Sequence, residues 1–381
     1  MAAMAGASDR RGRKRGKKVR VDFRRNRSVR RRIRDWKKIL DERGEEELDA
    51  ERSEQVGGKG ALSRRRTITL YESEEEIPAD LRPAVVVAVR GLYVDVDDGE
   101  RVVPCTVRRV LRSLLIRERH PVTVGDRVRF RMEEEGQDAE GVIEVVEGRT
   151  SRLCRFDGRR IQTIVANVDQ TIIVASVDQP PLKPHLIDRY IVASLAGEIT
   201  PVVCINKVDL DRDGNVNDVT ERYERLGYRV LRTSATTGEG IDALREMLKD
   251  RSSVIAGQSG VGKSSLLNAV QPGLRLRVGD INEQLNKGRH TTTTATLLRL
   301  DMGGYVVDTP GVRSFDVRMI DPHRLEAYFV DFLDHIPHCK FPDCTHRHEI
   351  DGAVKRAVEE GAIHPDRYES YVRLFEEAET T

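Results

Sequence analysis

The 381-residue chain is predicted to be a multidomain protein with three parts: an N-terminal OB-fold-like β-barrel, a P-loop α/β domain whose motifs run in circularly permuted order, and a C-terminal helical domain. Three observations predict this. Five short runs alternate apolar and polar residues within 83–150; apolar strands alternate with helical stretches across 160–320; beyond Asp321 the apolar spacing turns helical. Alternation at period two marks half-buried strands, and strand–helix alternation marks a parallel sheet.

Residues 1–82 precede these parts as a basic, then acidic, extension. Residues 1–40 hold 17 Lys and Arg against 3 Asp and Glu, whereas the rest of the chain holds 48 against 60. Only six apolar residues lie between Arg10 and Lys38 (Val19, Val21, Phe23, Val29, Ile33 and Trp36), too few for this arm to bury a core, so it is expected to be largely disordered. Its expected partner is RNA, through phosphate neutralisation; the alternative is a solvated tail with no dedicated partner. An acidic run around Glu45-Glu46-Glu47 follows and can fold back on the arm.

The barrel strands are Ala84–Val89, Leu92–Val96, Val102–Val107, Arg127–Arg131 and Gly141–Val146, with turns at Asp97-Asp98-Gly99 and Val124-Gly125-Asp126. Five short strands in so few residues fit an OB-fold, though an interaction barrel of another type has the same pattern.

The α/β region carries the chemistry. Asn206-Lys207-Val208-Asp209 comes first, then Gly257-Gln258-Ser259-Gly260-Val261-Gly262-Lys263-Ser264, and last Asp308-Thr309-Pro310-Gly311. In GxxxxGK[ST] the glycines let backbone N–H groups face the β-phosphate, Lys263 reaches the β- and γ-phosphates, and the Ser264 hydroxyl ligates Mg²⁺. The required context is present: an apolar strand at Ser253-Val254-Ile255-Ala256 and a helix start at Ser265-Leu266-Leu267. Asp308, after Gly304-Tyr305-Val306-Val307, is expected to hold Mg²⁺ through water while the Gly311 N–H meets the γ-phosphate. The Asp209 carboxylate can accept from guanine N1 and N2, and Asn206 can donate to the base; adenine lacks that donor pair, so GTP is implied over ATP. Ser234-Ala235, after the strand Tyr228-Arg229-Val230-Leu231, fits the backbone contact to guanine O6.

Between phosphate loop and DTPG lies Gly288-Arg289-His290-Thr291-Thr292-Thr293-Thr294. A threonine here, with Thr292 favoured, can give its hydroxyl to Mg²⁺ and its N–H to the γ-phosphate, making a switch. Val312 stands where many GTPases carry a water-orienting glutamine. Either hydrolysis is slow or another group does that work; His290 is the local candidate, as a catalytic group or as an electrostatic contact.

These motifs together resemble the circularly permuted, small-ribosomal-subunit-dependent GTPases of the RsgA (YjeQ) family. The resemblance rests on GQSGVGKSS at Gly257–Ser265, GRHTTT at 288–293, Asp308–Gly311, Asn206–Asp209 in permuted order, and Val165-Ala166-Asn167-Val168-Asp169-Gln170, and it spans roughly 83–381. It implies an OB barrel that binds ribosomal RNA, a permuted GTPase domain, and a helical domain with a zinc site. The implied activity is hydrolysis of GTP to GDP and phosphate, stimulated by the small ribosomal subunit and coupled to its late maturation. Two alternatives stay open: a GTP-dependent RNA-binding module with incidental hydrolysis, and a GTPase acting on a non-ribosomal RNA or protein.

The resemblance also implies one zinc ion per chain, held by Cys-x4-Cys-x-His and a further Cys six residues on. Cys339, Cys344 and His346 match three places; the fourth falls at Gly352, which cannot ligate. His338, His348, Asp351 or water could complete the shell, a structural zinc preferring four closed ligands.

No segment approaches the roughly 20 apolar residues of a membrane-spanning helix. Five scattered cysteines (Cys105, Cys154, Cys204, Cys339, Cys344) suggest a reducing compartment. A cytoplasmic monomer without membrane contact is expected, with GTP and GDP as ligands and the small subunit and its rRNA as partners.

Overall fold

The computed structural model describes residues 17–22, 65–70, 77–78, 80–91, 93–108, 122–132, 141–156, 161–212, 214–274, 295–308, 317–349 and 352–380. Strand β1 (Lys17–Asp22) pairs antiparallel with β2 (Arg65–Leu70), placing Val19 opposite Ile68 and Asp22 opposite Arg65. These two segments and a few residues near 77–82 are the parts of the N-terminal extension that lie among the described residues. Composition averaged over the arm hides a local Val-Arg-Val alternation and a Thr-Ile-Thr run, both strand-forming patterns.

The barrel consists of β3 (Arg82–Arg90), β4 (Tyr93–Asp97), β5 (Val102–Val107), β6 (Arg127–Met132) and β7 (Gly141–Val146). It closes in the order β3-β4-β5-β7-β6, with β5 and β7 parallel and the other pairs antiparallel. The inward residues of each alternating run, among them Val86, Val94, Val96, Val103, Phe130 and Ile143, fill the centre.

A hairpin of β8 (Arg152–Phe156) and β9 (Ile161–Ala166) leads out of the barrel. Asn167 then fixes the junction: its Nδ2 donates to the Gly125 carbonyl at 3.0 Å and its Oδ1 accepts from the Thr150 N–H at 2.9 Å.

The second sheet contains β10 (Gln170–Ser176), β11 (Thr200–Asn206), β12 (Arg229–Thr233), β13 (Ser252–Ala256), β14 (Thr296–Arg299) and β15 (Tyr305–Asp308). Its order is β12-β11-β10-β13-β15-β14, parallel except for the β14–β15 hairpin. The helices are α1 (Pro184–Ala196), α2 (Asn215–Arg225), α3 (Ile241–Leu248) and α4 (Lys263–Val270). Central β10 is buried at almost every position, the pattern expected when both faces of a strand are covered.

Beyond Asp321 the chain passes through short turns before its helices begin. Residues Pro322–Tyr328 and Ile336–His338 are 3-10 turns, and α-helix resumes only at α5 (Ala353–Glu359) and α6 (Pro365–Glu379). Pro322, Pro337 and Pro342 remove amide donors through this stretch, which keeps the turns short. On α6 the i, i+3, i+4, i+7 set is the inward face: Tyr371 and Phe375 are buried, Tyr368 and Val372 partly so, against Phe329, Phe332 and Val192 of α1.

Candidate functional site

The parallel strands end on one edge, and there the separated motifs meet. Because β11 and β13 both flank β10, the turns after Asn206 and Ala256 become neighbours. Open parallel sheets bind ligands at this carboxyl edge.

The phosphate loop runs from β13 into α4. Gly257 has φ 146° and lies so close to β10 that a Cβ would come within 2.1 Å of the Val174 carbonyl oxygen. Gly262 has φ 96°, and a Cβ there would stand 2.4 Å from Asn206 Nδ2. Only glycine meets both demands, of backbone angle and of close approach. The Lys263 ammonium donates to the carbonyls of Gly257 at 2.9 Å and Gln258 at 2.8 Å. Burial holds the Lys263 pKa below the ordinary lysine value. Ser264, in the first turn of α4, is buried against the loop.

The Asn206–Asp209 motif is held just as closely. Asn206 Nδ2 donates to the Val261 carbonyl at 2.8 Å, and its Oδ1 accepts from the Thr233 hydroxyl at 3.2 Å. Lys207 turns the chain through a left-handed φ of 61°, and its ammonium donates to the Gln179 carbonyl. The Val208 side chain points into the apolar core. Ser234 donates its hydroxyl to Asp209 Oδ1 at 2.5 Å and accepts from the N–H groups of Thr236 (3.3 Å) and Thr237 (3.1 Å). Its own N–H donates to the Glu239 carbonyl at 2.9 Å.

Asp308 closes β15, paired with Thr296 of β14. The expected residues His290, Thr292, Gly311 and Val312 lie outside the described residues, so the switch and the far end of DTPG are not placed.

Two features of this edge had no signal in the motifs. The Gln179-Pro180 turn covers the loop, with Pro180 3.5 Å from where a Gly260 Cβ would stand. Thr233 holds the rear of Asn206 and was visible only as the residue before Ser234.

Cys339, Cys344 and His346 converge in the C-terminal part, their candidate ligand atoms all within 4.8 Å of one another. Two thiols and an imidazole are the soft donor set that suits zinc. His346 is buried, with Nδ1 3.5 Å from Cys339 Sγ and Nε2 2.5 Å from a Glu326 carboxylate oxygen. A carboxylate on the far ring nitrogen is the usual support for a metal-binding histidine. Glu326, twenty positions upstream, was not foreseen. Burial pushes the Cys344 thiol up to about 11. Tyr368 and Tyr371 of α6 donate their hydroxyls to the carbonyls of His346 (2.7 Å) and Thr345 (3.0 Å), tying this loop to the helix. The expected substitutes His338 and His348 do not join the cluster; Asp351 lies outside the described residues. Gly352 N-caps α5, with open space around its Cβ position.

None of the five cysteines forms a disulfide. Among the described residues no helix is long and apolar enough to cross a membrane.

Residues 146–318 match the family model described as RsgA GTPase. A Thermotoga maritima protein named small ribosomal subunit biogenesis GTPase RsgA is 44% identical over 302 residues, covering 78% of this chain and 96% of that protein. A Yersinia enterocolitica protein of the same name is 38% identical over 328 residues, covering 83% and 91%. Among solved structures, YjeQ from Thermotoga maritima is 40% identical with TM-score 0.65, covering 79% of this chain and 99% of that one. The circularly permuted GTPase YloQ is 31% identical with TM-score 0.61, covering 79% and 96%. With its barrel, permuted motifs and near full-length match to these relatives, the chain belongs to the RsgA family of circularly permuted GTPases.

Proposed function

We propose that this GTPase binds the small ribosomal subunit and its rRNA, and hydrolyses GTP to GDP and phosphate in late maturation of that subunit. The observation that carries the reading is the Asn206–Val261 hydrogen bond, which joins guanine-reading and phosphate-binding motifs into one pocket. The barrel supports an RNA partner: Arg90, Arg108 and Arg131 are well exposed, as is the Tyr93 ring. Cationic side chains neutralise phosphates, and an exposed aromatic ring offers a stacking surface for bases.

In this reading Asn206 and Asp209 select guanine, with Lys207 and Val208 shaping the turn between them. Ser234 orients the Asp209 carboxylate, and the Ala235 N–H serves guanine O6. Backbone N–H groups from Gly257 through Ser265, with Gln258, Ser259, Gly260, Val261 and Gly262 between, cradle the phosphates. The Lys263 ammonium neutralises phosphate charge, and the Gly311 N–H meets the γ-phosphate.

The hydroxyls of Ser264 and Thr292 and the carboxylate of Asp308 are hard oxygen donors that fit Mg²⁺. Bound Mg²⁺ would offset negative charge on the phosphates during transfer. Val312 has no group with which to orient water, so His290 is assigned that work. Cys339, Cys344 and His346 would hold one structural zinc per chain. The protein acts as a cytoplasmic monomer.

GTP turnover measured with and without purified small subunits tests the proposal. Marked acceleration is expected, because Val312 leaves the isolated protein slow. Equal rates in the two samples would overturn the ribosomal role. Nucleotide-dependent binding without acceleration would make the protein a binding module instead.

A further inference from the structure

The β14–β15 hairpin joins the two segments that the proposed reading places at the γ-phosphate and its Mg²⁺. β14 begins just after the threonine run, and β15 ends on Asp308. The opposite end of the hairpin is gripped by the barrel. Asp97, the last residue of β4, is buried, and both of its carboxylate oxygens are engaged. Oδ1 accepts from the Gly99 N–H at 2.9 Å and from Arg299 Nη1 at 3.3 Å; Oδ2 accepts from the Tyr305 hydroxyl at 3.0 Å. Arg299 Nη1 also donates to the Gly99 carbonyl at 2.7 Å. Burial and the neighbouring Asp97 carboxylate push the Tyr305 hydroxyl up to about 12, so it stays a donor at any working pH.

Tyr305 opens the strand that Asp308 closes, and it pairs with Ser252 at the start of the phosphate-loop strand. Three residues of strand span roughly 10 Å, too short and too tightly paired to absorb a shift at one end. We propose that Asp97, Arg299 and Tyr305 are positioning residues through which the barrel sets the Asp308 end of β15 relative to the phosphate loop. None of the three belongs to the nucleotide motifs. A partner that tilts the barrel moves the hairpin, and through it the Mg²⁺ side of the pocket. By reciprocity, the γ-phosphate state must be felt at the barrel turn. The proposal rests on the reading of Asp308 given above, but not on the identity of the barrel's partner.

Hydrogen exchange of the full-length protein tests it, with GDP–Mg²⁺ against a non-hydrolysable GTP analogue with Mg²⁺. Protection of residues 97–101 should differ between the two states in the wild type. Asp97→Asn and Tyr305→Phe should lose that difference. Tyr305→Phe keeps the ring and guards against simple misfolding. In turnover, Tyr305→Phe should lower kcat about ten-fold at unchanged KM, the scale of one hydrogen bond to a charged group. Arg299→Lys, which retains a donor, should recover most of the loss seen in Arg299→Ala. Equal protection of the turn in both nucleotide states overturns the coupling, as does a difference that survives Asp97→Asn. Calorimetry on the same samples separates the causes. Absence of analogue binding would defeat the reading of the site as well. A wild type that small subunits fail to stimulate would defeat only the ribosomal partner, because the exchange readout needs nucleotide alone.

Discussion

The side-chain amide of Asn206 donates to the Val261 carbonyl at 2.8 Å, joining two motifs 55 residues apart whose chain order is the reverse of the usual one. Strand β10 makes this possible: it pairs with β11 on one side and β13 on the other, so both turns emerge beside its carboxyl end. Permutation changes the connections and leaves these strand neighbours in place. Chain order is therefore free to vary while the pocket is not.

Gly262→Ala tests that contact directly. The new methyl would stand 2.4 Å from Asn206 Nδ2 on a residue with φ 96°. Holding the native loop would cost about 1–3 kcal/mol of backbone strain, which the free loop relieves by moving off Asn206 and must take up again on binding, so GTP affinity should fall by about ten-fold or more. The melting temperature should change little, because the free loop carries no strain. Wild-type affinity by calorimetry would show that the loop need not sit against Asn206.

Base choice is the second prediction. Ser234 donates to Asp209 Oδ1 at 2.5 Å, which holds the carboxylate in one orientation. Asp209→Asn exchanges an acceptor pair for an amide, so GTP affinity should fall by about 100-fold, the scale of two charge-assisted hydrogen bonds. Xanthosine triphosphate should bind the variant better than GTP. Unchanged GTP binding in a titration would remove Asp209 from the base-reading role.

Lys263 gives a pH dependence with a defined sign. Burial lowers its pKa in the free protein below the ordinary value of 10.5, whereas bound phosphates raise it. Nucleotide binding then takes up a proton above the free-protein pKa, and affinity should weaken as pH rises through that window. Lys263→Arg, charged throughout, should flatten the slope although its overall affinity is lower. An affinity independent of pH up to the usual lysine range would refute the linkage.

These sites differ in how far the sequence discloses them. The five barrel strands were legible because period-two alternation and Gly/Asp turns are local signals. The phosphate loop and NKVD were legible because each needs particular residue types at fixed spacing behind a strand. The β1–β2 pairing was hidden by an average: the arm's charge masked the short Val19-Arg20-Val21 alternation of β1, and β2 lies more than 40 residues further on. The helical spacing of Tyr368, Tyr371, Val372 and Phe375 was legible and falls on α6, whereas the short 3-10 turns between Pro322 and His338 have no periodic signal of their own. Contacts such as Tyr305 with Asp97, 208 residues apart, leave no local trace at all. Glu326 behind His346 is another case, since nothing in a lone glutamate marks it as the partner of a buried histidine.

The cluster of Cys339, Cys344 and His346 yields the fourth prediction. Protein prepared without chelator should carry close to one zinc per chain by elemental analysis. Cys344→Ser should release it and lower the melting temperature, because a structural zinc contributes directly to folding. Glu326→Gln should weaken zinc retention by about 10–100-fold, the usual effect of losing the carboxylate behind a histidine ligand. Zinc-free protein that still melts cooperatively at the same temperature would show that the cluster serves no metal.

The C-terminal helices are fastened to the nucleotide domain by a buried ion network, and this gives the last prediction. Arg367 of α6 donates from Nη1 to Asp188 of α1 at 2.7 Å and from Nη2 to Asp331 at 2.8 Å, with its guanidinium 4.6 Å from the centre of the Phe329 ring. Tyr223 of α2 donates its hydroxyl to the same Asp188 oxygen at 2.9 Å. The two carboxylates raise the Arg367 pKa despite its burial, so the cation persists at any working pH. Arg367→Met would leave Asp188 and Asp331 buried without their counter-charge, at a cost of about 3–5 kcal/mol. Adding Asp188→Asn to Arg367→Met should recover part of that loss, because it removes one of the two carboxylates left without a counter-charge. Denaturant melts of the single and double variants decide the matter: an Asp188→Asn change that recovers nothing would mean that Arg367 acts through packing against Phe329 and not through its charge.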